Sequence, residues 1–232
     1  MKAIARLSLA ELTLLARDPG SLFFMVAFPM MLLVLNSGND RLDIFVPSYM
    51  AMILAIGGIA ALPGIMATYR ERKVLRRLAT TPVSPFALLA GQVVAQLVMG
   101  LAGSLIVVGT GVLAFGVDLP AHPLMLALSF VLCALTCCAI GFVIAAIAPR
   151  GRVADLLGML VMFPMIFLAG AAIPREGLPE PLRRIGDYLP LSQGVTALRE
   201  SWFGAPTATP LLILAGIIVV STAVAAALFR WE

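Results

Sequence analysis

Six apolar runs, at about residues 22–36, 47–68, 86–116, 122–148, 154–173 and 208–229, contain no Asp, Glu, Lys, Arg or His in their interiors, with His122 and Asp155 at edges. Roughly 20 such residues cross a hydrocarbon core of about 30 Å as a helix. Where no water is available to the backbone, only helices and closed barrels satisfy its hydrogen bonds. The chain has 61% hydrophobic and 12% charged residues over 232 positions, against about 25% charged in soluble domains. Six spans and short connections therefore use up the chain, leaving little for a soluble domain. The expectation is an all-α membrane protein with one transmembrane domain, 1–232.

The runs differ in length. The third, at 1.5 Å per residue, would reach about 45 Å and has to tilt or project. The first is short and needs its flanks. No A-x-A site follows that first run, so it is expected to be retained as the insertion signal. Cys133, Cys137 and Cys138 lie in one run, where disulfide geometry is poor, and are expected to be small packing residues. The basic balance, pI near 9.3, is explained by membrane topology and anionic headgroups and not by nucleic acid.

Most of the charge sits in one island, Y-R-E-R-K-V-L-R-R-L-A-T-T-P-V-S-P at 69–85. Arg70, Arg72, Lys73, Arg76 and Arg77 oppose Glu71 alone, giving the island the same net +4 as the whole chain. With the N-terminus inside, eleven Lys and Arg residues fall on the inner side and five on the outer. Positive charge favours the cytoplasmic side, so both termini and the island are expected there. Taken as a helix from 70 to 80, the island places Val74, Leu75, Leu78 and Ala79 on one arc and its bases on the rest. Glu71 projects into the apolar arc. It would pair with a partner protein, or with Arg6 or Arg17; alternatively the helix begins later and Glu71 pairs with Lys73 or Arg76. Thr80 and Thr81 then lead into Pro82, an extended exit because residues before proline avoid the helical region. A rigid helix held between two spans would convert a push at the membrane surface into a tilt of those spans.

Residues 1–18 carry Lys2, Arg6, Thr13 and Arg17 on one stripe with Ile4, Leu7, Leu14 and Leu15 opposite, the pattern of a helix lying in the interface. The outer connection, 174–207, is expected to hold two short helices. One has Leu178, Leu182, Ile185, Tyr188 and Leu189 on a face; the other begins at Ser192 as N-cap and aligns Val195, Leu198 and Trp202. They would pack on the outer surface or dip back into the membrane. Pro29, Pro63 and Pro164 fall inside spans and predict kinks.

Several function classes are disfavoured. Ion coupling generally uses ionisable groups within spans, and hydrolysis needs acid–base and nucleophilic groups together. His122, the only histidine, falls in a short turn and reads as a surface side chain. No G-x-x-x-x-G-K-[ST] loop is present, so energy for directional work would come from another protein. An uncharged path suits an apolar or amphipathic cargo. Asn36, Gln92, Gln96, Met99, Ser129 and Phe163 are the candidate path residues; polar side chains also join helices by hydrogen bonds, and Met and Phe also face lipid.

The island, the amphipathic start ending in R-D-P at 17–19 and the late outer loop together resemble the type-two ABC-transporter permeases, above all the daunorubicin-exporter-like branch. The resemblance covers essentially the whole chain. It departs at Lys73, where the family often has glycine, and at Gln92, where a basic residue often follows the glycine at 91. The resemblance implies a multi-pass permease of the bacterial cytoplasmic membrane that pairs with a second copy or a related permease. It also implies two ATP-binding subunits, which carry ATP and Mg²⁺ while this chain holds no cofactor. Those subunits would contact the first helix and the segment 69–82, making Arg6, Arg17, Arg70, Glu71, Arg72, Lys73, Arg76, Arg77, Thr81 and Pro82 the coupling set. Cargo in such a family is a drug, a lipid or a lipid-linked molecule. A different class, a non-transporting scaffold that recruits a cytoplasmic ATPase through the same island, fits the same residues.

Overall fold

The computed structural model describes residues 13, 20, 23–38, 42–72, 85–173 and 177–228. Every regular element among them is helical. In chain order these are α1 (Phe23–Leu35), α2 (Leu42–Glu71), α3 (Pro85–Phe115), α4 (Pro123–Ile147), α5 (Gly151–Leu168), α6 (Glu180–Asp187), α7 (Pro190–Phe203) and α8 (Ala208–Leu228). Five of them, α2, α3, α4, α5 and α8, are long and apolar enough to cross a membrane. With 13 residues, α1 measures about 20 Å and falls short of a full crossing. The expected interface helix over 1–18 lies outside the described residues except at Thr13.

α2 is the axis of the bundle. From Phe45 to Ile59 its side chains are almost wholly buried, whereas α8 exposes Leu212, Val219 and Val220 at its periphery. The helix is irregular in its middle: Ile56–Ala61 is a π-helical turn in which the Leu62 N–H reaches back to Gly57 O. Pro63 follows, with no N–H to donate to the preceding turn. Where Pro63 alone predicts a kink, the helix carries a π-turn joined to a proline, two features that each bend helices. Pro47, the first residue of the expected run 47–68, also lies inside this helix, because the helix starts five residues earlier, at Leu42.

Backbones approach α2 most closely at this irregular stretch. A Cβ at Gly58 would lie 2.6 Å from Cys137 Cβ, and one at Gly158 would lie 2.5 Å from Ile59 O. Gly141 packs its α-carbon face onto Gly58 O. Small residues at crossings of this kind let dispersion and packing hold membrane helices together. Cys133, Cys137 and Cys138 are buried free thiols, as expected of packing residues: Cys137 and Cys138 meet Gly58 of α2, and Cys133 meets Gly194 of α7.

The connection between α5 and α8, expected on the outer side, contains two helices, with one correction. Ser192 does not cap the second; α7 starts at Pro190 after Leu189, and the Ser192 hydroxyl donates to Gly186 O. Leu191, Val195, Leu198 and Trp202 are buried among α2, α4 and α8, so α7 dips back into the bundle. α6 stays outside, with Ile185 53% and Tyr188 89% exposed, which leaves its apolar face free for a membrane surface. Its Glu180–Arg184 pair at 2.5 Å is solvated and adds little stability.

Candidate functional site

Two regions concentrate functional chemistry, and α2 contributes to both. The first is the charged end of α2. Sequence periodicity predicts a separate helix from Arg70, but Arg70 and Glu71 instead complete the last turn of α2, and Arg72 caps it at φ −81° and ψ 5°. Residues 73–84 lie outside the described residues, so Lys73, Arg76, Arg77, Thr81 and Pro82 carry no structural statement; the same holds for Arg6 and Arg17.

Arg70 and Glu71 grip the turn between α4 and α5. The Arg70 guanidinium donates to Ala146 O at 3.3 Å and to Ala148 O. Both carbonyls belong to the C-terminal end of α4, where the last acceptors of a helix have no partners within it. The Glu71 carboxylate accepts the Gly151 N–H at 3.1 Å. Gly151 opens α5, whose N-cap residue, Arg150, supplies no side-chain cap. The carboxylate therefore satisfies an orphan donor at the positive pole of one helix, while the guanidinium meets the negative pole of another. This adds a backbone partner that neither sequence expectation for Glu71 included; the expected side-chain partners Arg6, Arg17, Lys73 and Arg76 lie outside the described residues. Gly151 is needed because its α-carbon abuts the Thr68 hydroxyl of α2.

The second region is a cavity of about 600 Å³ between α1, α2 and α5. Its floor is the π-turn of α2, and its walls are Phe24 and Phe28 from α1 and Met159, Phe163 and Phe167 from α5. Thr68, Tyr69 and Asp155 cluster at the end nearest the charged island. Sequence reading placed Asp155 at the edge of a run beginning at 154, but α5 begins at Gly151. Asp155 is therefore a full turn inside the helix. Its carboxylate rests on the α-carbon of Gly64, where any Cβ would collide with Oδ1.

The six candidate path residues do not share one surface. Phe163 alone lines the large cavity. Asn36 ends α1 and donates to Leu32 O at 2.9 Å and Tyr49 Oη at 3.2 Å. The Ser129 hydroxyl is 3.1 Å from that of Ser201, joining α4 to α7. Gln92 and Gln96, one turn apart on α3, are buried with no hydrogen-bond partner for either amide among the described residues. Gln96 Oε1 presses on Gly57 of α2, where a Cβ would come within 2.6 Å. Met99 is half-buried on the same helix.

Arg199 is one of the five basic residues that the sequence assigns to the outer side. It donates from Nε to Ser48 Oγ at 2.8 Å and from a terminal nitrogen to Gly170 O at 2.9 Å. It thereby joins α7, the start of α2 and the end of α5. Gly170 can present its carbonyl this way because it terminates α5 in the left-handed region, φ 74°.

The family described as ABC-2 type transporter matches residues 3–203. Nodulation protein J of Rhizobium leguminosarum bv. viciae is 35% identical over 94 residues, 39% of this chain and 36% of that protein. The probable multidrug ABC transporter permease YbhR of Escherichia coli (strain K12) is 26% identical over 157 residues, 66% of this chain and 43% of that protein. The chain spans less than half the length of these relatives.

Proposed function

The chain belongs to the ABC-2 type transporter family, and on that premise we propose that it is the membrane permease subunit of an ATP-driven exporter. In this reading the short α1 and the five long helices form six spans, with both termini in the cytoplasm of a bacterium. Two permease chains pair, and two separate ATP-binding subunits bind ATP with Mg²⁺ and press on the first helix and the segment 69–82. The cargo is hydrophobic or amphipathic, in keeping with an aromatic- and methionine-lined cavity beside α2.

The observation that carries this reading is the grip of Arg70 and Glu71 on the turn between α4 and α5. A force applied to the island reaches α2 directly, because the island's first residues are the last turn of that helix. Through two adjacent side chains it also reaches the end of α4 and the start of α5. Three helices can then move as a body, the rigid-body mode of switching, and two of them, α2 and α5, wall the cavity.

The test is reconstitution of the permease with its ATP-binding subunits in inside-out vesicles. ATP-dependent accumulation of a fluorescent lipid or drug is expected in the wild type. In the Arg72→Glu/Arg76→Glu variant it should fall at least tenfold while the protein remains inserted. Stable ATPase binding without ATP-dependent accumulation of any cargo would instead favour a scaffold.

A further inference from the structure

We propose that the π-turn of α2 is a two-state element, and that Gln96 of α3 is the latch that holds its second state. The proposal concerns how α2 moves and not what is carried, so it goes beyond the permease reading and does not depend on it. It starts from an acceptor and a donor that stand side by side without partners.

The acceptor is Gly58 O. In a regular helix it would take the Leu62 N–H, and in a π-turn the N–H of the next residue. Leu62 gives its N–H to Gly57 O instead, and the next residue, Pro63, has none to give. The carbonyl faces the α-carbon of Gly141, which offers only a weak C–H contact. The donor is the Gln96 amide. Gln96 is 4% exposed, and neither polar atom of its amide has a hydrogen-bond partner among the described residues. The amide abuts Gly57, and Gln96, Gly57 and Gly58 line one narrow void.

Burying a carboxamide and a carbonyl without partners costs free energy that one bond between them recovers. A swing of the Gly58–Ile59 peptide toward α3, with a turn of the Gln96 side chain about its own torsions, makes that bond. Glycine at 57 and 58 leaves the backbone free to swing, because no Cβ stands in the way. Arg70 and Glu71 hold one end of α2 to the turn between α4 and α5, and Arg199 holds Ser48 near the other. The change is therefore confined to the middle of the helix. Ile56, Ala60 and Ala61 of the same turn line the large cavity, so the latch relays a movement of α3 to the cavity wall.

The experiment uses the full chain in nanodiscs, carrying heavy isotopes at glycine nitrogen and glycine carbonyl carbon. Gly57 and Gly58 are the only adjacent glycines in the sequence, so one peptide gives the carbon–nitrogen correlation in the NMR spectrum. Two populations are expected in the wild type, as two cross-peaks or as relaxation dispersion of one. Gln96→Met, of similar length and without hydrogen-bonding groups, should leave a single peak without dispersion. Its unfolding temperature should equal or exceed that of the wild type, because the amide it removes has no partner in the first state. Pro63→Ala gives the break an N–H of its own and should also leave one population, testing the same state from the α2 side if Gln96→Met does not fold. A single static signal in the wild type overturns the proposal, as does a second population that survives in either variant. So does an unfolding temperature lowered by about 4 °C or more in Gln96→Met, which would mean that the amide is already bonded. Neither ATP nor cargo enters the measurement, so its failure leaves the permease reading standing, and failure of that reading leaves the latch standing.

Discussion

At the scale of single residues, Arg70 and Glu71 show how two neighbours of opposite sign can serve one mechanical purpose. Each faces the helix pole that its charge complements, so the pair stabilises both ends of one turn. Glu71→Gln keeps an acceptor of similar shape but loses the charge, whereas Glu71→Ala removes the cap altogether. Losses of a few tenths and about 1 kcal/mol respectively are expected, read from thermal unfolding of the purified protein. Exchanging the two residues, Arg70→Glu with Glu71→Arg, sets each charge against the wrong pole and should cost more than both single alanine variants together. If the exchange is neutral, the contacts are incidental. Arg199 makes the matching point at the other end of the bundle, where one planar guanidinium spans Ser48 Oγ and Gly170 O. Arg199→Lys keeps the charge but offers a single nitrogen, which cannot reproduce a two-sided fork. It should lower stability by about 1–2 kcal/mol, measured by the same unfolding.

At the scale of elements, α2 is held by glycines that sit where its neighbours come closest. Gly141 faces Gly58 O, and Gly158 faces Ile59 O, so neither can take a side chain without moving a backbone. Gly141→Ala should therefore cost about 1–3 kcal/mol, the usual range for overpacking, while Gly109, with open space around its α-carbon, should accept alanine with little change. Comparing the two variants' unfolding temperatures checks this. The helices themselves were legible, because uncharged runs of span length admit few other structures, and α3 and α4 fall within a residue of the expected bounds. The buried face of α7 was legible as well, from Val195, Leu198 and Trp202 at helical spacing. The Gly151 contact of Glu71 and the depth of Asp155 in its helix escaped the sequence for a physical reason: both are set by where α5 begins, at Gly151, and that start lies in a segment too polar to count as part of a span. One signal was available. A helix that opens on Arg150 and Gly151 with no capping side chain needs an acceptor from elsewhere, and Glu71 is the one acid of the island.

At the scale of the whole molecule, contacts distant in sequence sort the connections onto two ends. Ala121 and His122 donate their N–H groups to Trp202 O and Ser201 O, and Arg199 reaches Ser48 and Gly170, so these turns share one end. Arg70 and Glu71 share the other with residues 146–151. The geometry sets these ends apart but does not by itself say which faces the cytoplasm; that assignment comes from eleven basic residues against five. The two inferences can be tested together with single cysteines at positions 72 and 183, both exposed, in a background where the three buried native cysteines are alanine. A membrane-impermeant maleimide should label Arg183→Cys in intact cells and Arg72→Cys only after permeabilisation. The reverse pattern would leave the bundle intact and invert it in the membrane, removing the island from any cytoplasmic ATPase. Labelling of both positions from the same side would contradict the alternation of the helices themselves, and with it the idea that a push at the end of α2 travels across the membrane.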